Sequence, residues 1–202
     1  MKIFLVFLLF ISFIQGNDCL KQYDDWKKEY SKIKSFSFEF EEKTQYELLD
    51  KAEESKGKFF FKEPNLYKIE SNSFEIIANK EFVYNYDPMN KQTTIQKRDK
   101  TSNPLEIIFL NKDLNSYYNI DSCQQIEKEI IFYFSKKEET PLPYSKIILN
   151  VRKDKKSITA FQVTDYNETN TFIKINKFKE TDIKSDFFLY QKKMGVEEIE
   201  MF

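Results

Sequence analysis

The chain is 202 residues long, room for one domain with a substantial core and too short for two of ordinary size. Its 32 basic and 33 acidic side chains nearly cancel, so there is no positive surplus to neutralise phosphates and nucleic acid is a poor partner. Histidine is absent, which removes the commonest general base and metal ligand and weighs against an enzyme; the three glycines, Gly16, Gly57 and Gly195, are too few and too scattered for a phosphate-cradling loop.

Residues 1–16 open with Lys2, run apolar from Ile3 to Ile14 and end on the small Gly16, the layout of a cleaved secretory signal. The run falls well short of the roughly 20 residues that span a bilayer, which sets a membrane anchor behind cleavage. Cys19 follows closely, but Gly16, Asn17 and Asp18 make a poor approach to a lipidated cysteine, so lipid on Cys19 is the lesser alternative. Cys19 and Cys123 are the two cysteines of the chain, an even count that in an oxidising compartment favours a disulfide over two unrelated thiols.

Across residues 18–34, Leu20, Tyr23, Trp26, Tyr30 and Ile33 recur every three or four positions among charges, predicting an amphipathic helix. It can seal the open side of a curved sheet or pack as an ordinary N-terminal helix. Phe36, Phe38 and Phe40 alternate with Ser37, Glu39 and Glu41 and begin a strand that runs to about Leu49, after which 51–56 reads as a charged turn. Residues 56–87 then read as four short strands. Phe59 with Phe61, Tyr67 with Ile69, Phe74 with Ile76, and Phe82 with Tyr84 and Tyr86 fall on one face, while Lys58, Lys62, Lys68, Glu70, Glu75 and Asn85 fall on the other. That is the pattern of an antiparallel sheet with one apolar surface, which something must cover.

A turn at 87–90 leads to a strand at 91–98, and Asn103-Pro104 resembles an N-cap with proline at the first helical position. It opens the very apolar stretch holding Leu105, Ile107, Ile108, Phe109 and Leu110. In 115–129, Tyr117, Tyr118 and Ile120 suit a helix or loop packed around Cys123. Strands resume at 130–134, 144–152, 157–164, 171–178 and 187–190, with polar hairpin turns at 153–156 and 166–170. Asn167 heads an Asn-x-Thr sequon; glycosylation there is the weaker reading and chance the stronger in a chain rich in Asn and Thr. The sum is a mainly β fold with helices (α+β): an incomplete antiparallel β-barrel of about ten or eleven strands with an α-helical lid or plug, in a single domain over 17–202.

Gly57 with its alternating aromatic strand, then Pro64-Asn65-Leu66-Tyr67 and a hairpin into Phe82-Val83-Tyr84-Asn85-Tyr86-Asp87, resembles the core signature of the outer-membrane lipoprotein carriers, the LolA-like family. Ser35-Phe36 with Phe40 resembles that family's first strand. Phe188, Tyr190, Gly195 and Val196 resemble its C-terminal strand and closing turn. The resemblance implies a soluble, monomeric chaperone of the Gram-negative periplasm with no catalytic residues, cofactor or metal. Such a carrier takes acylated lipoproteins from an inner-membrane lipoprotein-releasing ABC transporter and passes them to an outer-membrane acceptor. Exposing an acyl chain to water costs about 0.8 kcal/mol per CH₂, so transfer needs a shielding cavity. Phe38, Phe40, Phe59, Phe61, Tyr67, Ile69, Ile76, Phe82 and Tyr84 are the expected lining, with Leu105, Ile107, Ile108 and Phe109 as the lid. The bland alternative makes both sets ordinary core.

Three positions depart from the family pattern: Glu63 stands where arginine often precedes the proline, Glu42 where glutamine is common, and Lys193 where proline is usual near the closing Gly-Val. An arginine hold on the lid therefore cannot operate from position 63. The second reading is a periplasmic β-rich protein-docking or envelope-sensor domain without bound lipid. An enzyme is the third, with carboxylate pairs such as Glu41 with Glu42 or Asp24 with Asp25 as its raw material.

Overall fold

The computed structural model describes residues 13–14, 16–98, 103–110, 113–154 and 157–201; most of the expected signal segment, residues 1–12 and 15, lies outside them. A two-residue strand, β1 (Phe13–Ile14), precedes helix α1 (Gly16–Tyr30). Six strands follow as an antiparallel meander: β2 (Ser35–Tyr46), β3 (Lys51–Lys62), β4 (Leu66–Ser71), β5 (Glu75–Ala78), β6 (Phe82–Asp87) and β7 (Gln92–Lys97). Helix α2 (Pro104–Leu110) separates it from a second meander of β8 (Tyr118–Ile126), β9 (Glu129–Lys136), β10 (Tyr144–Arg152), β11 (Ile158–Asp165) and β12 (Asn170–Glu180). Strand β13 (Glu197–Met201) ends the described chain and runs parallel to β7.

The two meanders fuse because β12 pairs antiparallel with β2. Among the described residues this makes one thirteen-stranded sheet in the order β1-β8-β9-β10-β11-β12-β2-β3-β4-β5-β6-β7-β13. Its two ends do not pair, so the barrel is incomplete, as expected, although with more strands than the ten or eleven read from the pattern.

Register places the aromatic residues. Phe36 lies opposite Phe61, which lies opposite Tyr67, which lies opposite Ala78. The next inner row is Phe38, Phe59, Ile69 and Ile76. Directly paired residues share a face, so these rows form one continuous apolar surface. In the following row Phe40 faces Gly57, and a Cβ on Gly57 would stand 2.4 Å from the Glu70 carbonyl oxygen and 2.6 Å from Phe40 Cζ. The Phe40 ring occupies the space that a side chain at 57 would need.

Four expectations are corrected. Phe82, Tyr84 and Tyr86 do not share the inner face. Val83 does, opposite Ala78, while Tyr84 pairs with Ile77 on the outer face and stacks on Tyr190 at 4.3 Å. The aromatic residues of β6 are greasy because the segment around 185–193 lies over them, including a short 3-10 turn (Ser185–Phe188) where a strand was expected. Residues 51–56 are strand, not turn. There β3 pairs with the far half of β2 through charges, such as Lys56 with Glu41 at 3.6 Å, so no apolar alternation marks it. The helix or loop expected in 115–129 is chiefly the strand β8, and β13 had no counterpart in the reading.

Helix α1 lies on the second meander. Cys19 in its first turn is joined to Cys123 of β8, with Cα atoms 5.5 Å apart. Tyr23, one turn on, meets Phe132 and Phe134 of β9 edge-on at 5.5 and 5.4 Å. Lys27 then binds Asp113 at 3.0 Å, beyond α2.

Replacing Gly57 by Ala should destabilise the protein by roughly 1–3 kcal/mol, since the Glu70 carbonyl belongs to the ladder and cannot yield; urea unfolding measures it. Removing both cysteines as Cys19→Ala/Cys123→Ala should cost about 4–5 kcal/mol in the same assay, the chain-entropy value for a loop of this length.

Candidate functional site

Helix α2 is apolar nearly all round, which marks a helix that is buried on every side. Its start is set locally: the Asn103 side chain accepts from Leu105 N–H at 2.9 Å, and the Asn103 carbonyl accepts from Ile107 N–H. Leu105, Ile107, Ile108 and Phe109 are all buried against the inner face. The Phe109 ring alone reaches Phe38 at 4.8 Å, Phe59 at 5.3 Å, Phe36 at 5.6 Å and Phe161 at 6.2 Å, so it touches strands of both meanders.

Glu106 is the charged exception in this helix and is only 6% exposed. Its carboxylate accepts from Tyr67 O–H at 3.0 Å and lies 3.5 Å from Arg98 Nε. The Arg98 guanidinium also donates to the carbonyls of Asn79, at 2.6 Å, and Asn65, and stands 5.2 Å over the Tyr67 ring. Burial, then the Glu106 carboxylate, push the Tyr67 phenol well above its ordinary value, so it stays a donor. An arginine therefore does hold α2, from position 98. Glu63 instead pairs with Lys34 at 2.9 Å.

Beside the plug, α1 and α2 leave a cavity of about 290 Å³. Its deep wall includes Phe36, Phe61, Ile108, Phe109, Leu149 and Ile158, and α1 contributes Tyr23, Trp26 and Tyr30. Lys34, two-thirds exposed, and Glu63 mark the mouth. Burial alone raises the Tyr30 phenol well above its usual value. Ligand pockets commonly measure about 300–1,000 Å³, so this one lies at the small end of that range.

The sequence matches the family model "Outer membrane lipoprotein carrier protein LolA" over residues 31–191. The chain belongs to this family. No curated protein matches the sequence. Among solved structures, an uncharacterized conserved protein from Thermus thermophilus is similar with a TM-score of 0.59 at 11% identity, covering 90% of this chain and 99% of the other. A DUF1329 family protein from Desulfovibrio piger reaches 0.50 at 11% identity, covering 84% and 97%. A LolA superfamily protein from Nitrosomonas europaea matches with a TM-score of 0.46 at 9% identity, covering 88% and 98%.

Within this LolA-family fold the expected residues separate into three groups. Phe38, Phe40, Phe59, Tyr67, Ile69 and Ile76 are buried on the inner face, in a core closed by α2 and shared by its Leu105 and Ile107. Phe61, Ile108 and Phe109 border the cavity itself. Phe82 and Tyr84 are on the outer face, away from both. Leu149 and Ile158 line the cavity without having been singled out, and Trp26 and Tyr30, read as part of the apolar stripe of α1 but not as lining, line it too. Asn167 sits exposed in the turn between β11 and β12. Among the described residues no group of His, Cys, Asp and Glu could hold a metal ion, and no helix is long and apolar enough to cross a membrane.

Tyr67→Phe should lower stability by about 1–3 kcal/mol at neutral pH, because it takes a donor from a buried carboxylate. A phenol whose folded value is raised contributes fully below its unfolded value, about 10, and loses that contribution as pH climbs beyond it. The gap between wild type and Tyr67→Phe should therefore narrow in denaturant titrations run above that pH.

Proposed function

We propose that this protein is a periplasmic carrier that shields the acyl chains of lipoproteins and moves them from an inner-membrane releasing transporter to an outer-membrane acceptor. It acts as a chaperone and carries out no chemistry. The observation that carries this reading is the pairing of a helical plug with an adjoining cavity: α2 covers the inner face with side chains that another apolar group can replace, and the space beside it is already open to a chain. About 290 Å³ is too little for several acyl chains at once. Loading of a fully acylated cargo then requires Phe109 to leave Phe36, Phe38 and Phe59, with the chains taking over its contacts.

The exchange is energetically reasonable. Withdrawing the four buried plug side chains forfeits roughly 6–12 kcal/mol, while each sheltered CH₂ returns about 0.8 kcal/mol, so one acyl chain of ordinary length about offsets the plug and a second tips the balance.

Native mass spectrometry of the protein purified from the periplasm of its host, before and after addition of a triacylated lipoprotein, tests the reading. A one-to-one complex that releases lipoprotein or lipid on denaturation is the expected result. A protein that is empty as isolated and takes up no lipoprotein would sink the carrier reading in favour of a protein-docking domain.

A further inference from the structure

Asn167-Glu168-Thr169 is the one Asn-x-Ser/Thr sequence in the chain, and Asp165 stands two places before its asparagine, the acidic addition that the acceptors of some bacteria carry. The fold sets this pentapeptide on a hairpin tip. Asp165 ends β11 and Asn170 begins β12, so 166–169 is the whole connection between the two strands. Tyr166, Asn167 and Glu168 are all exposed. Glu168 has a φ of 60°, the left-handed residue that closes a three-residue hairpin loop.

Asp165 shapes this loop and leaves its reactive groups unengaged. One carboxylate oxygen, Oδ1, accepts from the N–H groups of both Asn167 and Thr169 at 2.8 Å, and the Asp165 N–H donates to the Thr169 carbonyl at 3.1 Å. Among the described residues nothing bonds to the Asn167 side-chain amide, the Thr169 hydroxyl or Oδ2 of Asp165. These are the amide that is modified, the hydroxyl that completes the sequon and an oxygen left over for a cationic group of an enzyme. The loop also lies far from the cavity. Gln45 of β2 pairs with Asn170, whereas Ser35 at the other end of β2 adjoins Lys34 of the cavity mouth. That separation is roughly 30 Å of extended strand, so a bulky group on Asn167 leaves the mouth clear.

We propose that Asn167 is an N-glycosylation site, with Asp165 read as part of the acceptor and an oligosaccharide carried on a lipid diphosphate as the co-substrate. The Asn167 amide nitrogen attacks the anomeric carbon of the sugar. A C–N bond forms, the C–O bond to the diphosphate breaks, the lipid diphosphate leaves with the electron pair, and the amide gives one proton to a base of the transferring enzyme. Nothing is oxidised or reduced. The inference rests on the export that the carrier reading includes, and it adds a modification which that reading does not require.

Denaturing mass spectrometry of the protein purified from whole cells of its host tests the site. The expected species begins at Asn17 and is heavier than its sequence by a whole number of sugar residues, with fragmentation placing the added mass on Asn167. Asn167→Gln and Thr169→Ala should each remove that mass completely. Asp165→Asn keeps Oδ1, and with it both loop hydrogen bonds, but has no charge. It should therefore unfold at the same urea concentration as wild type and still lose the modification, while Asp165→Glu retains it. Asn167→Gln should take up triacylated lipoprotein as wild type does. An added mass that survives Asn167→Gln overturns the site, and full modification of Asp165→Asn overturns the part given to Asp165. An unmodified chain that has lost its leader overturns the site and leaves the carrier reading intact. An unmodified chain that keeps residues 1–16 overturns the site together with the export on which the carrier reading depends.

Discussion

The structure depends on a problem of connection. Strand β7 lies next to one end of the open sheet and β8 next to the other, yet they follow each other in the chain. The link between them carries helix α2. That helix lies on the inner face, where two rows of aromatic and aliphatic side chains need cover. Cover for the sheet and passage for the chain are met by the same seven residues.

The plug is consequently held by tertiary contacts more than by its own propensity. A helix of seven residues is far below the length that is stable alone in water. Burial of Leu105, Ile107, Ile108 and Phe109 keeps it in place, and the Glu106–Tyr67–Arg98 contacts orient it. These two kinds of contact respond differently to displacement. The apolar ones can be taken over by any chain of methylenes, while the carboxylate and guanidinium recover hydration when they separate, so breaking the polar contacts by exposure is less costly than removing one partner inside the protein. The exchange of cover proposed above rests on that balance. Helix α1, by contrast, is anchored by a disulfide at its start, aromatic packing at its middle and an ion pair near its end, and it makes the fixed wall of the cavity.

Much of this was legible before any coordinates. The rows of Phe36, Phe38, Phe59, Phe61, Tyr67 and Ile69 announced one apolar face because a strand alternates with period two, and Asn103-Pro104 announced the start of α2 because capping is local. The errors occurred where that logic lacked information. Phe82, Tyr84 and Tyr86 alternate just as cleanly as the inner rows, but alternation does not say which face is inside; the answer depended on a covering segment about a hundred residues later. In 51–56 the strand faces solvent on both sides and is joined to β2 by charges, so it looked like a turn. For the candidate site the helical stripe of Tyr23, Trp26 and Tyr30 was visible, but the cavity that it walls was not, since Leu149 and Ile158 come from strands more than a hundred residues away.

By itself, then, the sequence determined most of the elements and their chemistry: an amphipathic helix, aromatic strands with one greasy face, a short apolar helix and two cysteines. These are properties of neighbours within a few positions, and local sterics and periodicity suffice to specify them. The tertiary structure decided the pairing of β12 with β2, the outward turn of the β6 aromatics, the meeting of Arg98 with Glu106, and the cavity between α1 and α2. Each of these joins residues from separate elements, and their positions follow from how the whole sheet curls and from the route by which β7 is connected to β8.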